Sequence, residues 1–138
     1  MSGWIQAFAT GYPEIDAEHR EVLQRLDALA GLIEAGGDGR EIQALMQTLQ
    51  RYVLGHFSRE EACMLRVRCP AYQANSGAHA EFTEKFAGWV AQLERTGAPV
   101  ALARQIHGEA RTWIEAHILN VDCALRRTPR PAPAPRSR

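Results

Sequence analysis

Four stretches of this chain place apolar residues at alternating steps of three and four, and glycine- or proline-containing breaks separate them. Ile15, Val22, Leu26, Leu29 and Ile33 mark the first, over residues 14–34. Ile42, Leu45, Leu49, Tyr52 and Cys63 mark the second, over 39–67, and Phe82, Phe86, Trp89, Val90 and Leu93 the third, over 71–95. Ala103, Ile106, Ala110, Trp113 and Val121 mark the fourth, over 99–125. This step is the period of a helix that turns one face to a bundle core. The breaks carry their own signals. Asp38 with Glu41 reads as an N-cap and capping box, Cys69-Pro70 as a turn, and Pro99 suits the first turn of a new helix. No alternating β-branched run or hairpin signal is present. Helices of this length are roughly 30–40 Å long, and short connections make neighbours antiparallel. The predicted fold is all-α, an antiparallel up-down-up-down four-helix bundle.

The chain of 138 residues is long enough for one domain with a real core, and its 16 basic and 16 acidic residues balance. Residues 1–127 are expected to form the domain. Its first 13 residues make an arm that packs Trp4, Phe8 and Tyr12 against the bundle. Residues 128–138, rich in proline and arginine, are expected to be extended and disordered, available at most to a protein partner. Arg126, Arg127, Arg130, Arg136 and Arg138 are too sparse for a nucleic-acid groove. No apolar run approaches the roughly 18 residues of a membrane span, and no charged segment followed by an apolar one opens the chain. Three cysteines without framework spacing fit a reducing compartment, so a cytoplasmic monomer or weak oligomer is expected.

The polar residues inside these apolar seams point to chemistry. His19 lies in the first seam, His56 and Glu60 in the second, His79 with Asn75 in the third, and His117 with Asp122 in the fourth. A single histidine on an apolar face is usually a hydrogen-bonded core residue. Four of them on four helices, with carboxylates, must satisfy one another, because unpaired burial costs several kcal/mol against a stability margin of about 5–15. Antiparallel packing brings these four levels to one end of the bundle, where a metal would satisfy them best. Nitrogen and carboxylate oxygen suit iron or manganese, with zinc an alternative. Two carboxylates among several imidazoles favour a dinuclear centre over one tetrahedral zinc. Asp122 is five residues past His117, about 140° round an ideal helix, so it must reach the centre from a neighbouring face or a widened turn.

His56-Phe57-x-x-Glu60-Glu61-x-x-Met64 resembles the central motif of hemerythrins and bacteriohemerythrins. Gly11-x-x-x-Ile15-Asp16-x-x-His19, His79-x-x-Phe82 and Trp113-Ile114-x-x-His117-Ile118-x-x-x-Asp122 stand where that family has its other ligand motifs. The resemblance covers residues 4–125. It implies a centre of two non-haem irons that binds O2 or another small diatomic or peroxide ligand. By the family pattern His19 and His56 hold the iron that receives O2, His79 and His117 hold the other, and Glu60 and Asp122 bridge them. The chain departs from that pattern once: the family's first histidine of His-x-x-x-His-x-x-Phe is replaced by Asn75, a weak ligand or none.

Met64 and Ile118 are expected to line the O2 pocket with apolar surface. Glu61 and Glu81 are expected to be solvated, and His107 to be a surface histidine. Three functions remain open from the sequence. The first is a bacteriohemerythrin-like O2-binding protein for storage, delivery or sensing, rather than an enzyme. The second is a di-iron oxidase, or a protein reactive to peroxide or nitric oxide, owing to Asn75. The third is a signalling or partner-binding bundle with one metal or none.

Overall fold

In the computed structural model, which describes residues 4–130, four long helices account for most of the chain. They are α1 (Pro13–Glu34), α2 (Gly39–Arg66), α3 (Tyr72–Thr96) and α4 (Val100–Asn120). Short 3-10 turns at Gln6–Phe8 and Asp122–Arg127 flank them, and no strand occurs among the described residues. The chain is therefore an all-α four-helix bundle. Each helix starts and stops where local chemistry dictates. Pro13 occupies the first turn of α1, where its missing N–H is not needed. The Asp38 carboxylate accepts from Glu41 N at 2.9 Å, capping α2. Gly97, left-handed at φ 75°, ends α3, and its carbonyl lies so near Gly39 that a β-carbon there would meet it at 2.3 Å. The α3–α4 turn thus packs directly on the start of α2.

The seams follow the expected period with one-residue shifts. In α2 the buried positions are Ile42, Met46, Leu49 and Val53, while Leu45 and Tyr52 are half-buried at the flank. At that flank the Tyr52 ring carries the guanidinium of Arg25 at 4.6 Å, whose charge keeps its contact with solvent. In α4 the inner face runs through Ile114 and Ile118, with Trp113 half-buried beside it. The long fourth helix expected to 125 stops instead at Asn120. Val121 leaves helical geometry (φ −121°, ψ −58°), and Asp122 opens a 3-10 turn.

Two apolar clusters stack along the bundle. The larger runs from Val22, Val53 and Ile118 to the far loops. The smaller closes the other end with Tyr12, Ile15, Cys63, Met64, Cys69 and Leu125. The polar seam residues lie between them, so the protein surrounds them with low-dielectric packing on both sides. The arm is tied down by Thr10, whose N–H and hydroxyl both donate to Asp16 Oδ1 at 2.8 Å. Docked chain also extends past the boundary expected at residue 127. Thr128 is buried, its carbonyl accepts from the Tyr12 hydroxyl at 2.6 Å, and Arg130 pairs with Glu14 while covering the Tyr12 ring at 4.4 Å. Tyr12 supplies the reason, because a buried phenol needs an acceptor. The remainder of the tail, 131–138, lies outside the described residues.

Candidate metal centre

Residues from all four helices and the final turn converge at the layer between the two apolar clusters. His19, His56, Glu60, Asn75, His79, His117 and Asp122 are all buried, and Glu60 and Asn75 have no exposed surface. Each of the four imidazoles presents Nε2 to a carboxylate. Glu60 Oε2 is 2.8 Å from His19 and 3.3 Å from His56, and Glu60 Oε1 is 3.2 Å from His79. Asp122 divides in the same way, with Oδ2 3.1 Å from His19 and Oδ1 3.2 Å from His117. Both carboxylates thus turn one oxygen to the His19–His56 half and the other to the His79–His117 half. The break in α4 makes this arrangement possible, since a continued helix would carry Asp122 off the His117 face.

Two constellations emerge that could each hold a cation: His19, His56 and Glu60, and Glu60, His79, His117 and Asp122. Glu60 belongs to both. Donors about 2.1 Å from one metal stand roughly 3.0 Å apart at octahedral angles and 3.4 Å at tetrahedral ones. Four of the five carboxylate–imidazole spacings, 3.1–3.3 Å, fall in that range, and the His19–Glu60 spacing of 2.8 Å lies just below it. Within the cluster His19 Nδ1, His79 Nε2 and Asp122 Oδ1 have no aligned hydrogen-bond partner, a state that buried polar atoms rarely keep without a water, an ion or a chemical role to account for it. The residues present therefore fit a pair of cations.

The surroundings orient the rings. Glu18 Oε1 accepts from His56 Nδ1 at 2.7 Å and is itself held by Arg59. Glu61 Oε2 accepts from His79 Nδ1 at 2.9 Å. A proton held on Nδ1 leaves the Nε2 lone pair of a neutral ring facing inward. Glu61, expected to be solvated, is thus a partner of the centre. Glu18 is a partner that the sequence reading missed, because nothing in the linear order pairs α1 with His56. Phe57 stacks on His79 at 3.7 Å between centroids and Trp113 on His117 at 4.6 Å. His107, expected at the surface, is half-buried, with its Nε2 2.9 Å from the Leu26 carbonyl.

Asn75 stands inside the cluster. It lies in the first turn of α3, which starts at Tyr72. Its Nδ2 donates to Glu60 Oε1 at 2.9 Å, and its Oδ1 accepts from His117 Nε2 at 2.7 Å. Nδ2 also lies 3.3 Å from Met64 Sδ. Met64 is consequently not part of the small cavity beside the centre, whose apolar lining is Val22, Val53, Phe57, Trp113, Ile114 and Ile118. Ile118 lines it as expected. Met64, one turn past Glu60, faces the opposite cluster under Asn75.

Without cations the cluster is an ion network. Burial pushes the Glu60 carboxyl up, but hydrogen bonds from His19, His56 and His79 outweigh it and hold the group well below the usual carboxylate range. Burial alone would lower His19; Asp122 and Glu60 overturn that and raise it to about 10. His56 is likewise raised against its burial, by Glu18 and Glu60.

A family model described as the Hemerythrin HHE cation binding domain matches residues 10–123. This chain belongs to the hemerythrin family. Its similarity to myohemerythrin of Sipunculus nudus is 26% identity over 119 residues, 86% of this chain and 86% of that protein. A hemerythrin subunit of the same organism is 28% identical over 119 residues, with the same coverage. The alpha-type subunit of Lingula anatina hemerythrin is 30% identical over 90 residues, 65% of this chain and 70% of that protein. The two constellations lie within the matched hemerythrin segment, and the family's cation-binding description agrees with their donor chemistry. No helix among the described residues is long and apolar enough to cross a membrane.

Proposed function

We propose that this chain is a bacteriohemerythrin-like protein that holds two non-haem iron ions and binds O2 for storage, delivery or sensing. The observation that carries the reading is the division of Glu60 and Asp122, each with one oxygen toward either histidine pair. His19 and His56 would hold one ion, His79 and His117 the other, with both carboxylates shared. When bound, such a pair supplies two ferrous ions that together can give two electrons to O2 and take them back. Glu18 and Glu61 keep two of the rings in register. The cavity beside His19, His56 and His117 is walled largely by apolar side chains and has about 20 Å³ open to the centre of a water-sized molecule. That is slightly more than the roughly 10–15 Å³ one water needs, room for a ligand of diatomic size. The three cysteines are free thiols, which fits the reducing cytoplasm.

Asn75 supports a second reading, a centre reactive to O2, peroxide or nitric oxide. Where the family has a histidine, this chain presents an amide that donates a hydrogen bond into the cluster and can steady a polar ligand. The visible spectrum of the iron-loaded protein tests the two readings. A charge-transfer band that appears in air and vanishes under vacuum over repeated cycles supports O2 binding. Irreversible bleaching, or consumption of peroxide, supports the reactive centre instead.

A further inference from the structure

Two surface hollows come within one side chain of the central cavity. A solvent-open groove between α3 and α4 is lined in part by Gly108, Thr112 and Ala116. Among the described residues Trp113 alone lines both this groove and the cavity. Its indole lies between Phe82, at 4.0 Å and 15°, and His117, at 4.6 Å and 10°. The partition between solvent and cavity on this side is one aromatic ring. Between α2 and α3, Phe57 plays the same geometrical part, bordering a hollow that contains Glu61 and His79. The two rings differ in freedom. Phe57 is buried and stacked at 3.7 Å on His79, whose far nitrogen is pinned by Glu61. Trp113 is half-buried, with its faces stacked on Phe82 and His117 and the rest of the ring toward the groove. A β-carbon added at Gly108 would meet nothing within 4 Å, so the groove is open at that residue.

We propose that the α3–α4 groove is the approach to the centre, and that Trp113 is its selectivity wall. It admits small uncharged ligands and holds back larger or charged ones. The inference rests on the two-iron reading and adds to it the route and the residue that sets the size limit. A neutral diatomic needs only a small displacement of the ring and gives up little hydration in the apolar cavity. An anion must shed its water, and a chelator needs the ring removed from its path.

The test uses the ferrous protein under argon, with 2,2′-bipyridine as the probe and formation of its coloured iron complex as the readout. In the natural protein extraction waits on local opening. Trp113→Ala should raise the rate by about tenfold or more, in proportion to bipyridine concentration, and added indole should slow it again by refilling the gap. Trp113→Phe keeps a ring over His117 and should extract at an intermediate rate, so the idea stays testable if the alanine variant folds poorly. Iron per chain is measured before addition of chelator, and each rate is expressed per bound iron. An unchanged rate in both variants overturns the proposal. So does a faster rate independent of bipyridine concentration, which would report iron lost from a disturbed His117, or acceleration by Phe57→Leu alone. A natural protein that holds no iron pair at the outset would overturn the two-iron reading itself, and the initial iron count separates that failure from the others.

Discussion

Replacing Asn75 with histidine should change stability in opposite directions with and without metal. In the metal-free protein the Asn75 amide is fully buried and satisfies Glu60 Oε1 and His117 Nε2 at 2.9 and 2.7 Å. A bulkier ring overpacks this layer, at about 1–3 kcal/mol. The strained hydrogen bonds to buried partners add about 1–3 kcal/mol more. The metal-free variant should therefore melt lower, by roughly 6–24 °C for a loss of about 2–6 kcal/mol. With metal the sign reverses. Four-donor zinc sites bind with about 10–16 kcal/mol, so one added nitrogen is worth about 3 kcal/mol, or roughly a hundredfold in affinity. That nitrogen would serve the His79–His117 ion, and linkage should raise the melting temperature of the loaded variant above that of the loaded natural protein. Differential scanning calorimetry on stripped and iron-loaded samples, with competition against a chelator of known affinity, reads both numbers. A metal-free variant as stable as the natural chain, or an unchanged metal affinity, would refute the placement of Asn75 in the coordination layer.

Three further outcomes follow from the same geometry. Glu61→Gln should weaken metal binding about 10–100-fold while leaving helicity by circular dichroism unchanged; equal affinity would mean that the bond to His79 Nδ1 does not orient the ring. In the metal-free protein His19 titrates near 10 instead of 6.5, so the stability it contributes is complete below pH 6.5 and is lost as pH rises toward 10. Glu60 is depressed below 4.5, so its contribution is present above pH 4.5 and fades as pH falls through its lowered value. The stripped protein should thus melt highest at about pH 4.5–6.5 and metal affinity should instead rise from pH 6.5 upward as imidazoles release protons; a melting temperature that climbs toward pH 10 contradicts this. Removing residues 128–138 should lower the melting temperature relative to removing 131–138, because the Tyr12 hydroxyl loses its acceptor at Thr128, at about 1–3 kcal/mol; identical melting curves would show that the docked segment contributes nothing.

The bundle was legible because period and punctuation agree: the seam through Ile15, His19, Val22, Leu26, Leu29 and Ile33 is buried throughout, and the Asp38 cap forms as its spacing suggests. The convergence of His19, His56, Glu60, His79, His117 and Asp122 was legible for a related reason, since polar residues on a buried seam must meet one another. What was not legible depends on pairing across helices. Glu18 and Glu61 sit at helix flanks, where an acid is ordinarily solvated, and only the angle between neighbouring helices aims them at His56 and His79. Met64 follows the opposite rule. It shares the Glu60 stripe, yet the drift of a helix by a few tens of degrees turns it to the Asn75 side and away from the cavity. The end of α4 was legible only in part: the 140° between His117 and Asp122 called for another face or a widened turn, but Asn120, Val121 and Asp122, weak helix formers without a glycine or proline among them, do not fix where the helix stops. Composition alone puts Thr128 in a disordered tail, whereas the Tyr12 hydroxyl recruits its carbonyl.

Glu60 and Asp122, each shared between two ions, are the centre of the proposed chemistry. Iron per chain, measured after anaerobic loading with ferrous ion and removal of loosely held metal by gel filtration, addresses that sharing directly. The geometry predicts two irons per chain, with Mössbauer spectra showing a coupled pair. One uncoupled iron per chain, or none, would contradict it.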